Sequence, residues 1–465
     1  MFSSKFASLL TMFLISLSLY AQVPNNMKHT VWNQEGYGRI LKIQDSTYTY
    51  FNISQYSCEP LAEGIFKGRF EVINSSRNLL ILNPGGIVHY RFHNIGSLPK
   101  SCNTETVLED HSFENNFKAF WETFNDNYAF FEKRNINWKA IYDQYLPFVK
   151  NLHSEKEFAQ VLLQIIGNFN DGHIRLNVPD SLRISSKKAE NSATTISKNQ
   201  ILSNIETKYL EKSKSFNNGV IRWGVIKNSK IGYVGITDMN DFSNYVSPEY
   251  QNTNKFDSIY NQKMNSLEPL EQFKDEIKGV EDIMEIVMND FRNTDSVVVD
   301  LRFNGGGYET VAIKLLSYFA TQEKHILSIK AKTKNGFTPA QKYILKPASI
   351  SYQKKVYLLI SPYTASAAEI FALGTLTYQN IERIGTNSAG IFSEILWKKL
   401  PNGWEYSLSN EIYSGSNGNS YEEAGVPVDY ELNYSKDKSD FYNSFYQENK
   451  FTDKAIDKIL HLKSK

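Results

Sequence analysis

The sequence predicts an α/β protein, with a core of βαβ units preceded by a helical subdomain and a small all-β domain. Three observations support this prediction. Residues 22–105 alternate in polarity with the period of strands, residues 106–183 carry aromatic side chains at helical spacing, and residues 220–435 alternate short apolar runs with amphipathic stretches. The chain has 465 residues, enough for two or three domains of about 100–200 residues each.

The charge balance excludes one class of partner. The chain has 51 basic and 50 acidic residues, a formal net charge of +1, and a hydrophobic share of 41%. Proteins that bind nucleic acid through its phosphates carry an excess of basic residues, so we expect no nucleic-acid partner. No set of cysteines and histidines has metal-ligand spacing, and we expect neither a metal nor a cofactor.

Residues 1–21 have the layout of a signal peptide. Lys5 precedes an apolar run from Leu9 to Tyr20, and the small residue Ala21 follows. The alternative is an N-terminal membrane anchor, but polar residues interrupt the run, which is shorter than the roughly 20 residues that span a bilayer. We therefore expect export to the periplasm or the extracellular space, and no stable membrane span after cleavage. The sequence gives no indication of the oligomeric state.

Residues 22–105 are predicted to form the N-terminal β domain. The segments at 37–43 and 46–53 alternate, and residues 78–93 resemble a hairpin around Pro84-Gly85-Gly86. This domain contains both cysteines of the chain, Cys58 and Cys102. An exported protein meets an oxidising compartment, so they either form a disulfide or remain as two buried thiols, and the sequence leaves both alternatives open.

Changes in the sequence pattern define the next four regions. Residues 106–183 are predicted to form a helical subdomain, in which Ser154-x-x-Glu157 has the form of a capping box. Residues 184–219 begin with a polar stretch and are predicted to be a linker or surface loop. Residues 220–435 form the α/β core, where continuous apolar runs predict buried strands. Residues 436–465 are a charged tail that ends in a short helix.

Ser366 lies where a predicted strand gives way to a predicted helix. Ser366-x-x-Glu369 has the form of a capping box, which is the structural interpretation of this serine. A serine at a strand-to-helix turn can also act as a nucleophile, because the backbone N–H groups of the helix point towards an incoming oxyanion.

Three further motifs carry chemistry only in combination. The glycines of DLRFNGGG (residues 300–307) let the backbone approach a ligand, although they also suit a tight turn, and they lack the spacing of a phosphate-binding loop. His173 follows Gly172 at a predicted turn and can act as a general base. Glu422 and Glu423 precede a Gly-Val-Pro turn; taken alone they are solvated carboxylates, but a carboxylate that orients a histidine completes a triad.

These motifs in this order resemble the tail-specific or C-terminal-processing serine peptidases. Their wider group includes the tricorn-protease core and the modules of the interphotoreceptor retinoid-binding protein. The resemblance covers residues 106 to about 433 and implies a crotonase-like core. It also implies that Ser366 is the nucleophile, His173 the general base and Glu422 the residue that orients it. The oxyanion hole would consist of the backbone N–H groups of Gly306 and Ala367.

The sequence departs from this family in two places. Ile391 lies where many bacterial members have a catalytic lysine, and the next lysines, Lys398 and Lys399, are seven and eight residues further on. A Ser-Lys dyad is therefore not expected. Only 57 residues separate His173 from Ile231, which leaves no room for the PDZ domain that usually reads substrate C-termini.

The sequence thus predicts an exported serine peptidase that acts on protein or peptide substrates through an acyl-enzyme. The alternative is a non-catalytic binding module on the same fold, since the retinoid-binding relatives hold apolar ligands and aromatic residues make up 14% of this chain. The complete Ser-His-Glu set argues against that alternative. An acyl-CoA lyase or hydrolase is disfavoured by the export signal.

Overall fold

The computed structural model describes residues 23–102, 110–182 and 196–463. The predicted signal peptide lies outside these ranges. Within them, no helix has both the length and the apolar composition needed to cross a membrane.

The N-terminal domain is one antiparallel sheet of seven strands in the order β4-β3-β2-β1-β7-β6-β5. The predicted hairpin is present, because β6 and β7 pair antiparallel with Leu82 opposite Tyr90. A four-residue helix, α1, follows β4. The bounds are β1 Thr30–Gln34, β2 Arg39–Ile43, β3 Thr47–Ile53, β4 Cys58–Ile65, α1 Phe66–Arg69, β5 Glu71–Ser75, β6 Leu79–Asn83 and β7 Tyr90–Asn94.

Cys58 and Cys102 form a disulfide. Of the two alternatives that the sequence left open, the structure therefore has the bonded one. The bridge ties the start of edge strand β4 to the segment that follows the sheet, at a sequence separation of 44 residues.

Three helices and a short strand form the helical subdomain: α2 Phe113–Asn127, α3 Trp138–Val149, α4 Glu155–Gly167 and β8 Arg175–Asn177. Each helix begins with a side-chain cap, from Ser112, Asn137 and Ser154 respectively. Ser154 and Glu157 form the predicted capping box. The aromatic side chains of α2 pack inward at the predicted spacing, with Phe117, Phe124 and Tyr128 fully buried.

The core contains a second sheet of seven strands in the order β21-β17-β16-β12-β11-β10-β9. Strands β11, β12, β16, β17 and β21 are parallel, and β9 and β10 add antiparallel at one edge. Every residue of β11 and β12 is buried, which explains their continuous apolar runs. The bounds are β9 Lys214–Phe216, β10 Ile221–Val225, β11 Ile231–Ile236, β12 Ser296–Asp300, β16 Lys355–Ile360, β17 Ile381–Gly385 and β21 Tyr430–Glu431.

Helices and smaller sheets surround this core sheet. The helices are α5 Lys198–Tyr209, α6 Phe256–Met264, α7 Pro269–Phe291, α8 Glu309–Ser317, α9 Ala367–Thr375, α10 Lys438–Asn443 and α11 Lys454–Lys463. The remaining strands are β13 Lys324–Thr333, β14 Gly336–Phe337, β15 Gln341–Leu345, β18 Ile395–Lys399, β19 Glu405–Ser409, β20 Glu411–Gly415, β22 Tyr446–Gln447 and β23 Lys450–Phe451. Strand β8, just after His173, pairs with β19 and so joins the helical subdomain to the core.

Two regions differ from what their composition predicts, the linker and the C-terminal tail. In residues 196–219 of the predicted linker, Ser197 caps α5 and β9 extends the core sheet, while residues 184–195 lie outside the described ranges. The charged tail ends in a helix as expected, but it is anchored in the core. Arg302, fully buried, binds Asp300 at 2.6 Å and Asp453 of the tail at 2.7 Å.

Candidate active site

Ser366 lies directly before the first residue of α9, in a strained backbone conformation. Its φ is 53° and its ψ is −126°, a region that residues with a Cβ rarely adopt. Its hydroxyl makes no capping hydrogen bond to the helix. Ser366 and Glu369 have the predicted capping-box arrangement, in which the Glu369 carboxylate accepts the Ser366 N–H at 3.2 Å and the Glu369 N–H donates to the Ser366 carbonyl at 2.7 Å. The hydroxyl remains available for other chemistry at the positive end of the α9 dipole.

Glu369 anchors the loop that follows β17. It is fully buried and accepts hydrogen bonds from the Ser388 hydroxyl at 2.6 Å and from the N–H groups of Gly390 and Ile391 at 2.7 and 2.8 Å. Burial raises the pKa of Glu369 to about 7, while these hydrogen bonds oppose the increase. Glu369 thus holds residues 388–391 against the turn that contains Ser366.

The glycine loop packs directly against Ser366. A Cβ placed on Gly306 would lie 2.7 Å from the Ser366 Cβ and 3.1 Å from the Ala367 nitrogen, and the φ of Gly306 is +112°. Both facts require glycine here. The sequence motifs at 300–307 and 364–369 are therefore neighbours in space.

Of the backbone N–H groups near Ser366, one already donates a hydrogen bond and two have no acceptor among the described residues. The Gly306 N–H, the expected oxyanion donor, donates to Asn304 Oδ1 at 2.9 Å. The Gly306 carbonyl accepts the Met239 N–H. This carbonyl and the Gly307 N–H belong to one trans peptide and point in opposite directions, so the Gly307 N–H points away from Met239. Neither this N–H nor that of Ala367 has an acceptor among the described residues.

His173 is held in place by its backbone. Its N–H donates to Asp171 Oδ1 at 3.0 Å, and its carbonyl accepts the Ser407 hydroxyl at 2.7 Å. The residue is 6% exposed, its Nδ1 has no hydrogen-bond partner among the described residues, and its ring lies against the Ser393 backbone. Burial lowers the pKa of His173, and Asp171 and the Ser393 backbone only partly offset this. The imidazole is therefore neutral at pH 7.

Ile391 links the serine to the histidine turn. Its carbonyl accepts the Ser366 N–H at 3.1 Å, and its Cδ1 lies 2.8 Å from where a Cβ on Gly172 would be. His173 follows Gly172, and its ring contacts Ser393, two residues beyond Ile391, which is about 7 Å along an extended chain. Ser366 and His173 thus contact the same short segment, residues 391–393, but no hydrogen bond joins their side chains.

Glu422 is bound by an arginine and makes no contact with His173. Its Oε1 lies 2.9 Å from Arg134 Nη2, and its Oε2 accepts the Phe392 N–H at 3.0 Å. Arg134 also contacts Glu423 at 2.9 Å and Asp171 at 3.5 Å. Burial raises the pKa of Glu422 to about 8, and the Phe392 N–H and Arg134 only partly oppose this. The expected direct pairing of Glu422 with His173 is absent.

Two residues of this network were not identified from the sequence. Asp171 lies inside the DGH motif, and besides the His173 N–H its carboxylate accepts the hydroxyl of Tyr128 at 3.0 Å. This motif could have signalled its role. Arg134 gave no local signal, because it lies in a turn 288 residues before Glu422.

Lys398, the first lysine after Ile391, binds the N-terminal domain. Lys398 is 2% exposed, and its Nζ donates to the carbonyls of Tyr37 and Gly38 in the N-terminal domain. Burial lowers the pKa of Lys398 well below its usual value. Neither of these hydrogen bonds involves Ser366.

The chain is similar to known peptidases in sequence and in fold. Residues 230–432 match peptidase family S41, and residues 110–167 match the tricorn protease C1 domain. A candidate peptidase from Parabacteroides merdae has the same fold, with a TM-score of 0.56 at 20% identity over 76% of this chain and 97% of that chain. The mature CPAF protein in complex with lactacystin aligns with a TM-score of 0.50 at 10% identity, over 77% of this chain and 99% of that one.

A curated relative gives a shorter match. The tail-specific protease of Haemophilus influenzae is 28% identical over 111 residues, which span 24% of this chain and 15% of the relative's length. The fold is shared with these solved structures, and Ser366 lies at a strained helix start beside the glycine loop. Within this fold, residues 230–432 are the part of the chain that matches peptidase family S41.

Proposed function

We propose that this chain hydrolyses peptide bonds through an acyl-enzyme on Ser366. The observation that carries the proposal is the arrangement around Ser366: a strained conformation, a hydroxyl not used for capping, and Gly306 packed against its Cβ. A nucleophile needs an accessible oxygen beside N–H donors that can bind an oxyanion. Ser366 is part-buried, and the neighbouring N–H groups of Ala367 and Gly307 have no acceptor among the described residues.

In the proposed reaction, Ser366 Oγ attacks the scissile carbonyl carbon while His173 takes the hydroxyl proton. The resulting oxyanion is stabilised by the Ala367 N–H and one N–H of the glycine loop. Gly306 can be the second donor only if it releases Asn304 Oδ1, whereas Gly307 has a free N–H. His173 then protonates the leaving amine, and water releases the acid product by the same steps in reverse.

Proton transfer requires the imidazole to approach the hydroxyl to about 3 Å. Because His173 and Ser366 contact the same segment, a small shift of residues 391–393 on substrate binding brings the two groups together. Hydrogen bonds of this kind are commonly long before substrate binds.

We assign Glu422 a positioning role. Its carboxylate holds Arg134, Arg134 contacts Asp171, and Asp171 accepts the His173 N–H. Glu422 therefore fixes the backbone of the histidine turn through two intermediates, without touching the ring. This differs from the triad that the family resemblance implies, in which the glutamate orients the imidazole directly.

The core type, the location and the substrates are also part of the proposal. The parallel strands of the core sheet are compatible with a crotonase-like core. The N-terminal pattern and the disulfide support export to the periplasm or beyond. Family membership supports a protein or peptide as substrate.

A binding module without catalysis is the second candidate function. It is favoured by one observation, the missing hydrogen bond between Ser366 and His173. Hydrolysis of an unfolded reporter protein by purified wild type, with Ser366→Ala as control, separates the two. We expect cleavage that Ser366→Ala abolishes. Equal cleavage by both proteins would reject Ser366 as the nucleophile, and no cleavage by either would favour the binding module.

A further inference from the structure

Side-chain hydrogen bonds join the base of the glycine loop to the serine turn, residues 361–366. The Ser361 hydroxyl donates to the Arg302 carbonyl at 2.6 Å, and the Thr364 hydroxyl donates to the Leu301 carbonyl at 2.8 Å. One of these segments carries the nucleophile and the other carries N–H groups beside it. The backbone just before the glycines therefore fixes how the two segments face each other.

The Arg302 side chain is fully buried, and each of its five N–H groups has an acceptor. Its Nε and Nη2 donate to Asp300 at 2.9 and 2.6 Å. Its Nη2 and Nη1 donate to the two oxygens of Asp453 at 2.7 and 2.9 Å, and Nη1 also donates to the Tyr434 hydroxyl at 3.1 Å. Paired, charge-assisted bonds hold a guanidinium in one orientation. One of the two carboxylates that orient Arg302 thus comes from β12 and the other from the C-terminal tail.

Asp453 is itself fixed at the start of α11. Its Oδ1 accepts the N–H groups of Ala455 and Ile456 at 3.0 and 3.2 Å, and its own N–H donates to the Tyr209 hydroxyl at 2.9 Å. The positive end of the helix stabilises a carboxylate at this position. Asp453 lies beyond residue 432, where the match to peptidase family S41 ends. The tail therefore supplies a partner to the glycine loop from outside the matched region.

Aromatic side chains of the tail contact the same two segments. The ring of Phe441 lies 5.5 Å from that of Phe303 in the glycine loop and 5.1 Å from that of Tyr363 in the serine turn, measured between centroids. Phe445 also packs against Phe303, at 5.5 Å. The Tyr363 hydroxyl donates to the Lys436 carbonyl at 2.7 Å. The tail is thus packed on both segments, and Asp453 is its charged contact with them.

Removal of the Asp453 carboxylate would leave two N–H groups of Arg302 without their acceptors. A guanidinium keeps its charge in proteins, so it cannot adapt by losing a proton. A buried charge that has lost a partner is strongly unfavourable, and the chain would shift to expose it to water. Because Gly306 follows Arg302 by four residues, this shift would move the N–H groups beside Ser366.

We propose that Asp453 is a positioning residue for the oxyanion site. It orients Arg302, and through Arg302 it sets the backbone of the glycine loop, whose N–H groups would bind the oxyanion. Asp453 acts on the reaction only through this arginine. The effect on catalysis rests on the proposed function, whereas the effect on the order of the glycine loop does not.

Asp453→Asn tests the catalytic effect, because it removes the charge but keeps an oxygen that can cap α11. On the unfolded reporter protein, we expect kcat to fall at least about tenfold and KM to change less than about twofold, since an oxyanion forms only in the transition state. The rate at which a fluorophosphonate labels Ser366 should fall as well. Asp453→Glu keeps the charge and should recover part of the lost rate.

Asp457→Asn is the matched control. Asp457 lies on the same helix and accepts the hydroxyls of Tyr209 and Thr452, but it does not bind Arg302. Both variants should lower the melting temperature, because both weaken the tail, but Asp457→Asn should keep the wild-type kcat. Tyr434→Phe removes only a neutral acceptor of Arg302 and tests the network if Asp453→Asn does not fold. It should reduce kcat by about two- to threefold.

Hydrogen exchange measures the order of the loop without catalysis. Mass spectrometry follows two peptides of the full-length protein, residues 300–308 and 361–368. We expect Asp453→Asn to speed up exchange in both peptides, and Asp457→Asn to speed it up only in the tail. That result supports the effect of Asp453 on the glycine loop even if the wild type cleaves nothing.

The other outcomes overturn the positioning role. These are exchange in the two peptides that Asp453→Asn leaves unchanged, an active Asp453→Asn protein with the wild-type kcat, and equal losses of kcat in Asp453→Asn and Asp457→Asn. Where Asp453→Asn does not fold, wild-type kcat and wild-type loop exchange in Tyr434→Phe overturn it. A higher KM at unchanged kcat also overturns it, because it would place the effect in substrate binding.

Discussion

Arg134 Nη2 lies 2.9 Å from Glu422 Oε1, and both side chains are almost completely buried. The carboxylate that the motif predicts to orient His173 is instead the partner of an arginine on the helical subdomain. This pairing joins the last motif of the site to its first, because Arg134 also contacts Asp171 beside His173.

The pairing predicts graded effects of substitution. His173→Ala should reduce kcat by on the order of 10³ or more, as loss of a catalytic base does. Glu422→Gln should cost less, about tenfold, because it weakens positioning without removing the base. Glu423→Gln should change kcat little, since Glu423 is 35% exposed and exposed ion pairs contribute about 0–1 kcal/mol.

Purified variants assayed on the unfolded reporter test this order. The pH profile of Glu422→Gln should keep the wild-type midpoint if the glutamate only positions the turn. A loss in Glu422→Gln equal to that in His173→Ala, together with a shifted midpoint, would show direct contact with the imidazole in the working enzyme.

The pH dependence of activity follows from the burial of His173. Only the neutral imidazole accepts a proton, and burial lowers its pKa, so the neutral form persists to lower pH. Activity should therefore decline with a midpoint below the usual histidine value of about 6.5. This reverses the expectation for a histidine paired with Glu422, whose carboxylate would raise the pKa. A kcat/KM profile with its acidic midpoint above pH 7 would contradict the burial argument.

A cluster of carboxyl groups between the N-terminal domain and the core predicts pH-dependent stability. The Tyr413 hydroxyl lies 2.9 Å from Glu309 Oε2 and 3.0 Å from Glu411 Oε2. One hydroxyl donates one proton, so at least one of these carboxyl groups is protonated. Burial raises the pKa of Glu411 to about 8, with repulsion from Glu394 as the second cause.

The folded state therefore binds more protons than the unfolded state, and the free energy of unfolding should fall as pH rises from about 4.5 to 8. Glu411→Gln mimics the protonated acid and should flatten this decline. Urea unfolding across this pH range measures it, with the exposed Glu405→Gln as control. A wild-type stability that rises with pH over the same range would reject the interpretation that one of these carboxyl groups is protonated in the folded state.

The disulfide predicts a redox-dependent stability. Cross-linking Cys58 and Cys102 closes a loop of about 45 residues, and the loop-closure entropy is worth about 4 kcal/mol at most. Reducing agent should lower the melting temperature of the wild type. The Cys58→Ser/Cys102→Ser protein should melt at that lower temperature with or without reductant. Equal melting of oxidised and reduced wild type would mean that the bridge constrains little.

Local patterns predicted much of the fold. The apolar runs of β11, β12 and β16 lie in the buried sheet, and the capping box at Ser154 starts α4 as expected. Helix α7 shows the same relation between pattern and burial, because Leu270, Ile283 and Val287 are buried along its length. Patterns of this kind report burial.

The candidate site was predictable only in part. The motifs located Ser366 and the glycine loop, which are close in space. The partners of Glu422 and Lys398 were not predictable, since each is set by contacts between residues hundreds of positions apart. The use of the Gly306 N–H by Asn304 depends on side-chain geometry that no spacing encodes.

The central claim is that Ser366 is an activated nucleophile. Incubation with a fluorophosphonate at pH 7.5, followed by peptide mass spectrometry, tests it most directly. We expect one covalent adduct per chain on the peptide that contains Ser366, much slower labelling of His173→Ala, and no adduct in Ser366→Ala. If the folded wild-type protein takes no label, or takes it on another residue, Ser366 is not an activated nucleophile.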